Sequence, residues 1–254
     1  MNKASNCPRR GALLRHIRVN LTAIRLIGLS FGLSLVTPLF AAEPLIARIT
    51  TNIGDITAEL NDRAAPTTVA NFVNLAQRGF YDGLTFHRWE KNFMIQGGDP
   101  DSKTAKPGQA LGDGDWGYTV PAEFRDSLFH KKGVIAAARD DIPSKASSAC
   151  QFYLAQGKVF TDEQLDLLEQ NRLKRKIPTW QREVYKTLGG IPHLDQNYTV
   201  FGEVVQGIEM IDTIAAVKTG AADRPVDDVR MTVTVLKKKE AKKLEKSLGL
   251  ASKP

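Results

Sequence analysis

FHRWEKNFMIQGGDP, residues 86–100, is an apolar, strand-like run that encloses one arginine, a phenylalanine-methionine pair and a glutamine before ending in turn residues. Phe86, Trp89, Phe93, Met94 and Ile95 supply apolar surface, and Gly97-Gly98-Asp99-Pro100 closes the run. Arg88 is the odd member. A guanidinium does not lose its charge, so among aromatics it must reach water, a carboxylate or a ligand carbonyl. If the segment from Leu84 to Gln96 is extended, His87 points away from Arg88.

Outward from this run, Leu45 to Leu60 alternates around Thr51–Asp55 as a hairpin. Pro66 to Ala76 places Val69, Phe72, Val73 and Ala76 at helical spacing, with Pro66 in the first turn and Gly79 beyond the end. Gly133–Ala138, Gln151–Ala155 and Thr199–Val205 read as short strands. Ile208, Ile211, Ile214 and Ala215 define a second amphipathic helix, and Val229, Met231, Val233 and Val235 alternate in a last strand. Many short strands with two helices predict a mainly β fold, a closed antiparallel barrel with no exposed edge.

Two stretches interrupt that pattern. Asp101–Tyr118 is polar and glycine-rich; its Gly112-Asp113-Gly114-Asp115-Trp116-Gly117 has dinucleotide-type glycine spacing. No clear strand precedes it, no helix follows, and the aspartates repel phosphate, so it reads as a loop. Gln156–Pro192 is helical. Thr161-Asp162-Glu163-Gln164 is a capping box that starts a helix near Asp162, and a second candidate helix follows Pro178-Thr179, carries Trp180, Val184, Tyr185 and Leu188, and ends at Gly189-Gly190. It is either an excursion packed on the barrel, or a lid or secondary surface for unfolded chains.

The chain of 254 residues is 42% hydrophobic and 25% charged, enough for one globular domain with appendages. Its net charge of +7 does not indicate nucleic acid, because six of the 35 bases lie in residues 1–42, where there is no acid; the remainder has 29 bases against 28 acids. That N-terminal stretch reads as an export signal: bases, an apolar run from Leu26 to Val36, then Pro38-Leu39-Phe40-Ala41-Ala42 before Glu43. Cleavage after Ala41 or Ala42 gives a periplasmic or secreted protein that meets the membrane only through its signal. An uncleaved run gives a signal anchor. Residues 237–254 hold seven lysines against Glu240 and Glu245 and read as a solvated amphipathic basic tail. Cys7 lies in the signal, so Cys150 has no partner in the mature chain and reads as a core residue.

Four segments in order, residues 86–100, Gly133–Arg139, Gln151–Leu154 and Leu194–Gly202, resemble the cyclophilins, the peptidyl-prolyl cis-trans isomerases. The resemblance covers residues 45–236. It implies an eight-stranded barrel capped at each end by a helix, a reaction that needs no metal or cofactor, and proline-containing polypeptides, here folding exported proteins, as substrates of a monomer. Arg88, Phe93 and Gln96 are then the catalytic set, with Arg88 hydrogen-bonding near the prolyl amide. Phe93, Met94, Tyr153 and Leu194 would form the proline pocket. Gln96 and Gln151 would bind substrate backbone, and Ala138, Arg139, His193 and Tyr198 would complete the substrate-binding surface. Several positions depart from the commonest eukaryotic pattern. Tyr153 replaces a phenylalanine and brings a hydroxyl that needs a partner. Arg139 replaces an asparagine whose contact is largely through backbone, and Tyr198 a histidine. His193 replaces a tryptophan, which argues against strong cyclosporin binding.

Other chemistries fit poorly. His87, His130 and His193 have no metal-ligand spacing, and Ser147, Ser148 and Cys150 pair with no evident base. The alternative on the same barrel is a non-catalytic chaperone or binding module that uses residues 156–192 and the basic tail.

Overall fold

The computed structural model describes residues 43–220 and 223–250; the expected export signal lies outside them. Eight strands form one antiparallel sheet: β1 (Ile46–Thr51), β2 (Gly54–Leu60), β3 (Phe86–Glu90), β4 (Met94–Gly97), β6 (Val134–Ala137), β8 (Phe152–Ala155), β9 (Val200–Gln206) and β10 (Met231–Val235). A separate short pair is made by β5 (Thr119–Val120) and β7 (Ser147–Ser148). The order in the large sheet is β10-β1-β2-β9-β6-β8-β4-β3. The backbone then joins its two ends: Gly83 N–H donates to Met231 O at 2.9 Å, Met231 N–H to Leu84 O at 2.8 Å and Phe86 N–H to Val229 O at 2.9 Å. The barrel is closed, as its sequence pattern predicts, and none of these eight strands is left as a free edge.

Its interior is filled by alternating inward residues, including Ile49, Ile56, Phe86, Ile95, Ile135, Leu154 and Phe201, all fully buried. Helix α1 (Pro66–Gln77) turns Val69, Phe72, Leu75 and Ala76 into this core, and the Phe72 ring lies 5.2 Å from Tyr81, 5.5 Å from Phe152 and 5.2 Å from Phe201. After the insertion, whose helices are α2 (Asp162–Leu168) and α3 (Thr179–Thr187), α4 (Glu209–Ile214) buries Ile211 and Ile214 in the same core.

Leu84 to Gln96, expected as one strand region, is a hairpin. Asn92 takes a left-handed φ of 63°, and Phe93 N–H donates to Glu90 O at 3.1 Å, so the chain reverses between β3 and β4. Asparagine tolerates that conformation better than most residues. The turn places Arg88 opposite Gln96.

The insertion behaves as its caps predict. Both halves of the Thr161–Gln164 capping box are formed, at 3.3 and 3.2 Å. Helix α2 widens into a π-helical turn at Glu169–Leu173, and α3 stops before Gly189. Arg182 ties the two helices through Asp162, Asp166 and Glu169 at 2.8–3.0 Å. A small core of Phe129, Leu165, Ile177 and Tyr185 sits under them, so the excursion is docked on the segment that leads into β6.

The basic tail differs from a simply solvated segment. Helix α5 (Lys238–Ser247) buries Ala241 against Ile46 and Leu236, with Leu244 alongside, while Lys238 and Lys242 reach Glu43 at 2.5 and 3.1 Å. The lysines solvate one face and the alanine-leucine stripe docks the other.

Candidate active site

The β3–β4 hairpin, the neighbouring strands β6 and β8, and the loop before β9 converge on one open cavity of about 560 Å³. Arg88, Phe93, Met94, Gln96, Ala138, Arg139, Gln151, Tyr153, Leu194 and Tyr198 all line it. His193 does not. Its ring stacks on Phe93 at 5.8 Å, nearly parallel, and so backs a lining residue instead of facing the cavity. Burial pushes its titration down to about 4, with Arg172 adding to the effect, so it stays neutral at neutral pH.

Met94 and Tyr153 form an apolar floor with Val134, Ala136, Ala138, Leu194 and Val200, and Phe93 and Tyr198 pack against it. Arg88 stands at the edge. Its side chain is 40% exposed, donates Nη1 to Gln96 Oε1 at 3.4 Å and pairs through Nη2 with Glu90. Gln96 in turn donates Nε2 to Gln151 Oε1 at 2.8 Å. A charged donor over a pocket of hydrocarbon and aromatic rings is thus set by cross-strand pairing and not by loop placement.

Gln151 does more than line the cavity. Its Nε2 donates to the carbonyls of Gly112 and Gly114 at 2.8 and 2.6 Å, so its amide donors are engaged with the Asp101–Tyr118 segment and not directed at the open space. That segment is the far wall: Gly112, Asp113, Gly114, Asp115 and Tyr118 face the same cavity, followed by Thr119 of β5. Asp99 holds it, accepting from Gly112 N–H at 2.5 Å, and a Cβ at Gly114 would collide with the Asp99 carboxylate. The sequence reading identified only a loop here; the signal was the glycine spacing, which allows close backbone approach to Asp99 and Gln151.

Arg139 turns its side chain along the rim. Nε donates to Asn197 O at 2.7 Å and the guanidinium carbon lies 4.7 Å over the Tyr198 ring. Behind the floor, the Tyr153 hydroxyl meets His130 Nε2 at 2.8 Å. The partner that hydroxyl required is a residue without evident function from spacing alone. Among the described residues, no group of three His, Cys, Asp or Glu is gathered to hold a metal ion. None of their helices is long and apolar enough to cross a membrane.

Comparison with known proteins gives a consistent result. Residues 46–235 match the family model described as cyclophilin type peptidyl-prolyl cis-trans isomerase. A Staphylococcus epidermidis protein named for peptidyl-prolyl cis-trans isomerase activity is 37% identical over 179 residues, 70% of this chain and 85% of its own length. A Streptococcus pyogenes protein named as a bifunctional phosphatase and peptidyl-prolyl cis-trans isomerase is 38% identical over 183 residues; the match spans 71% of this chain and 36% of that longer protein. The crystal structure of a Cryptosporidium parvum cyclophilin type isomerase superposes with a TM-score of 0.57 at 22% identity, covering 76% of this chain and 98% of the other. A second crystal structure of that protein, in the presence of the dipeptide Ala-Pro, gives 0.54 at 21% identity, covering 76% of this chain and 99% of the other.

Proposed function

The chain belongs to the cyclophilin-type peptidyl-prolyl cis-trans isomerases, and from that premise we propose that Arg88 is its catalytic donor and that the cavity beneath it takes the proline of an X-Pro bond. The reaction is rotation about that bond, opposed by a barrier of about 18–20 kcal/mol from amide resonance, while the two isomers differ by only about 0.5–1 kcal/mol. Rotation breaks the resonance and leaves the prolyl nitrogen pyramidal, with a lone pair able to accept a hydrogen bond. A donor aimed at that nitrogen binds the twisted state better than either planar one, which is the condition for acceleration.

The observation that carries this reading is the position of the Arg88 guanidinium at the edge of the Phe93, Met94, Tyr153 and Leu194 surface, held there by Gln96. Phe93, Met94, Tyr153 and Leu194 hold the imino-acid ring. Gln96 orients Arg88 and meets substrate backbone. Ala138, Arg139, Gln151 and Tyr198 border the path of the chain on either side, and His193 acts through Phe93. Each step is non-covalent, so the chain's own residues suffice.

The basic and then apolar residues before Glu43 support an exported location, with residues 1–42 removed and the mature protein assisting the folding of exported chains in the periplasm. The mass of the protein recovered from an expressing cell tests this. A start at Ala42 or Glu43 is expected, and a chain that retains residues 1–41 in full would count against it.

The catalytic reading is tested by following isomerisation of an Ala-Pro peptide with the wild-type protein and Arg88→Ala. Loss of a donor of this kind lowers kcat by about 10²- to 10³-fold. Equal rates for the two proteins would remove Arg88 from the mechanism.

A further inference from the structure

A line of buried polar groups runs from the helical insertion to the floor of the cavity. Tyr185, on α3, donates its hydroxyl to Asp195 Oδ2 at 2.7 Å. Asp195 Oδ1 accepts from the backbone N–H of His130 at 2.8 Å and lies 3.0 Å from its ring Nδ1. The other ring nitrogen, Nε2, meets the Tyr153 hydroxyl at 2.8 Å. All four residues are at least 96% buried.

The directions follow from valence. A carboxylate only accepts, so Nδ1 carries a hydrogen, and in the neutral imidazole Nε2 is left to accept from Tyr153. Each link then points from Tyr153 through His130 to Asp195, and Tyr185 closes the line from the other side. Burial raises the titration of both phenols well above its ordinary range, so both remain donors. The Arg175 guanidinium adds an opposite charge 3.8 Å from Asp195 Oδ2. Arg175 and Tyr185 both belong to the insertion.

A buried carboxylate with so many partners is expensive to desolvate and is kept in place only when its neighbours stay fixed. What it fixes is a ring that lines the cavity. A phenylalanine at position 153 would be held by packing alone, but the tyrosine is also held by its hydroxyl. Its ring lies 6.0 Å from the His130 ring and nearly parallel to it, and Tyr198 meets both edge-on at 5.9 and 6.5 Å. Gly190 permits the approach: a Cβ there would stand 2.7 Å from Tyr185 Cε1 and collide with the His130 carbonyl.

We propose that His130, Asp195 and Tyr185 are positioning residues for isomerisation, which through the Tyr153 hydroxyl fix the ring that bounds the proline pocket, so that the insertion is part of the active site and not an appendage. This rests on Tyr153 lying in the pocket as read above. None of the three touches substrate. They act by keeping Tyr153 and, through it, Tyr198 in the orientation that fits the twisted amide.

The test is a double-mutant cycle on the full folded enzyme with Tyr185→Phe, Tyr153→Phe and the pair, read as kcat, KM and thermal midpoint on an Ala-Pro peptide, with Arg88→Ala alongside. Tyr185→Phe is expected to keep a native circular dichroism spectrum and to lower kcat/KM by about 5-fold, mostly in kcat, and to have less than about 2-fold effect once Tyr153 is phenylalanine. An unchanged kcat/KM, or an equal loss in both backgrounds, overturns the proposal. If Tyr185→Phe does not fold, nitrogen NMR of the wild type decides: saturating Ala-Pro peptide must shift the His130 ring resonances, and their failure to move overturns it. Wild-type activity that depends on Arg88 leaves the catalytic reading intact whatever the cycle gives, and an inactive wild type, or one indifferent to Arg88→Ala, strikes at that reading instead.

Discussion

Arg88 and Gln96 stand opposite each other across the β3–β4 hairpin, and the guanidinium donates to the Gln96 amide oxygen at 3.4 Å. From there the bonding continues through Gln151 to the carbonyls of Gly112 and Gly114. The donor on one wall of the cavity is thereby connected to the loop that makes the other wall. Gln96→Leu keeps the approximate volume and removes both ends of the Gln96 bridge. It is expected to lower kcat on an Ala-Pro peptide by about 10-fold, the range for a hydrogen bond to a charged group, with a smaller change in KM. A kcat equal to that of wild type would show that Arg88 is held by other means.

Glu90, two residues along β3, engages the other terminal nitrogen of Arg88. The two side chains pair while each is more than a third exposed, so the contact is weak and sensitive to salt. With Arg88 as the donor proposed above, Glu90 also competes with substrate for the guanidinium. Glu90→Gln is expected to raise kcat/KM by about 2- to 4-fold at low salt, and the gain should shrink in about 0.5 M salt, where the charge is screened. A lower kcat/KM at low salt would mean instead that Glu90 orients the arginine.

His87 alternates with Arg88 as the strand periodicity requires and is almost fully buried, with no hydrogen-bond partner for either ring nitrogen among the described residues. Burial pushes its titration down to about 4; Arg88 and Arg224 add to this and Asp99 opposes it. In the unfolded chain the imidazole protonates near its ordinary value of about 6.5. Between these values the unfolded chain binds a proton that the folded chain refuses. Stability from this group is therefore complete above about pH 6.5 and declines as pH falls toward 4, by roughly 3 kcal/mol. His87→Phe should make urea unfolding less dependent on pH between 7 and 4 by that order. Parallel pH profiles for the two proteins would refute it; His193 contributes to both and cancels.

Removal of residues 237–254 takes α5 off Ile46, Ala241 with it, and leaves Glu43 without its lysine partners. Uncovering an isoleucine that is 1% exposed is expected to cost about 1–3 kcal/mol in urea unfolding, while turnover of the Ala-Pro peptide stays within about 2-fold of the full chain. A truncated protein of unchanged stability would show that the helix does not dock in solution.

The barrel was legible because period-two alternation and closure are local and repetitive, as in Val229 to Val235, and the insertion helices because Thr161 and Gln164 announce a capped start. Arg88, Met94 and Tyr153 were legible as an ordered set. The hairpin inside residues 84–96 was not, although Glu90-Lys91-Asn92 interrupts the apolar run: three polar residues also fit an exposed stretch of one strand, and it is the left-handed backbone at Asn92 that reverses the chain. His130 was passed over for a different reason. Its partners, Asp195 and Tyr153, are 65 and 23 residues away, and such a bond exists only once the strands are paired. Gln151 was expected to serve substrate backbone, yet its donors are engaged by carbonyls of a loop whose path no pattern announced.

The insertion departs and returns through one narrow neck, where Lys158 and Gly190 exchange backbone hydrogen bonds at 3.2 and 3.0 Å. A stretch joined at two adjoining points is an interchangeable cassette: it can be swapped for a shorter or foreign sequence without rethreading any strand. On the proposal above, any replacement would inherit an obligation to present a phenol or comparable donor to Asp195, the position that Tyr185 now fills.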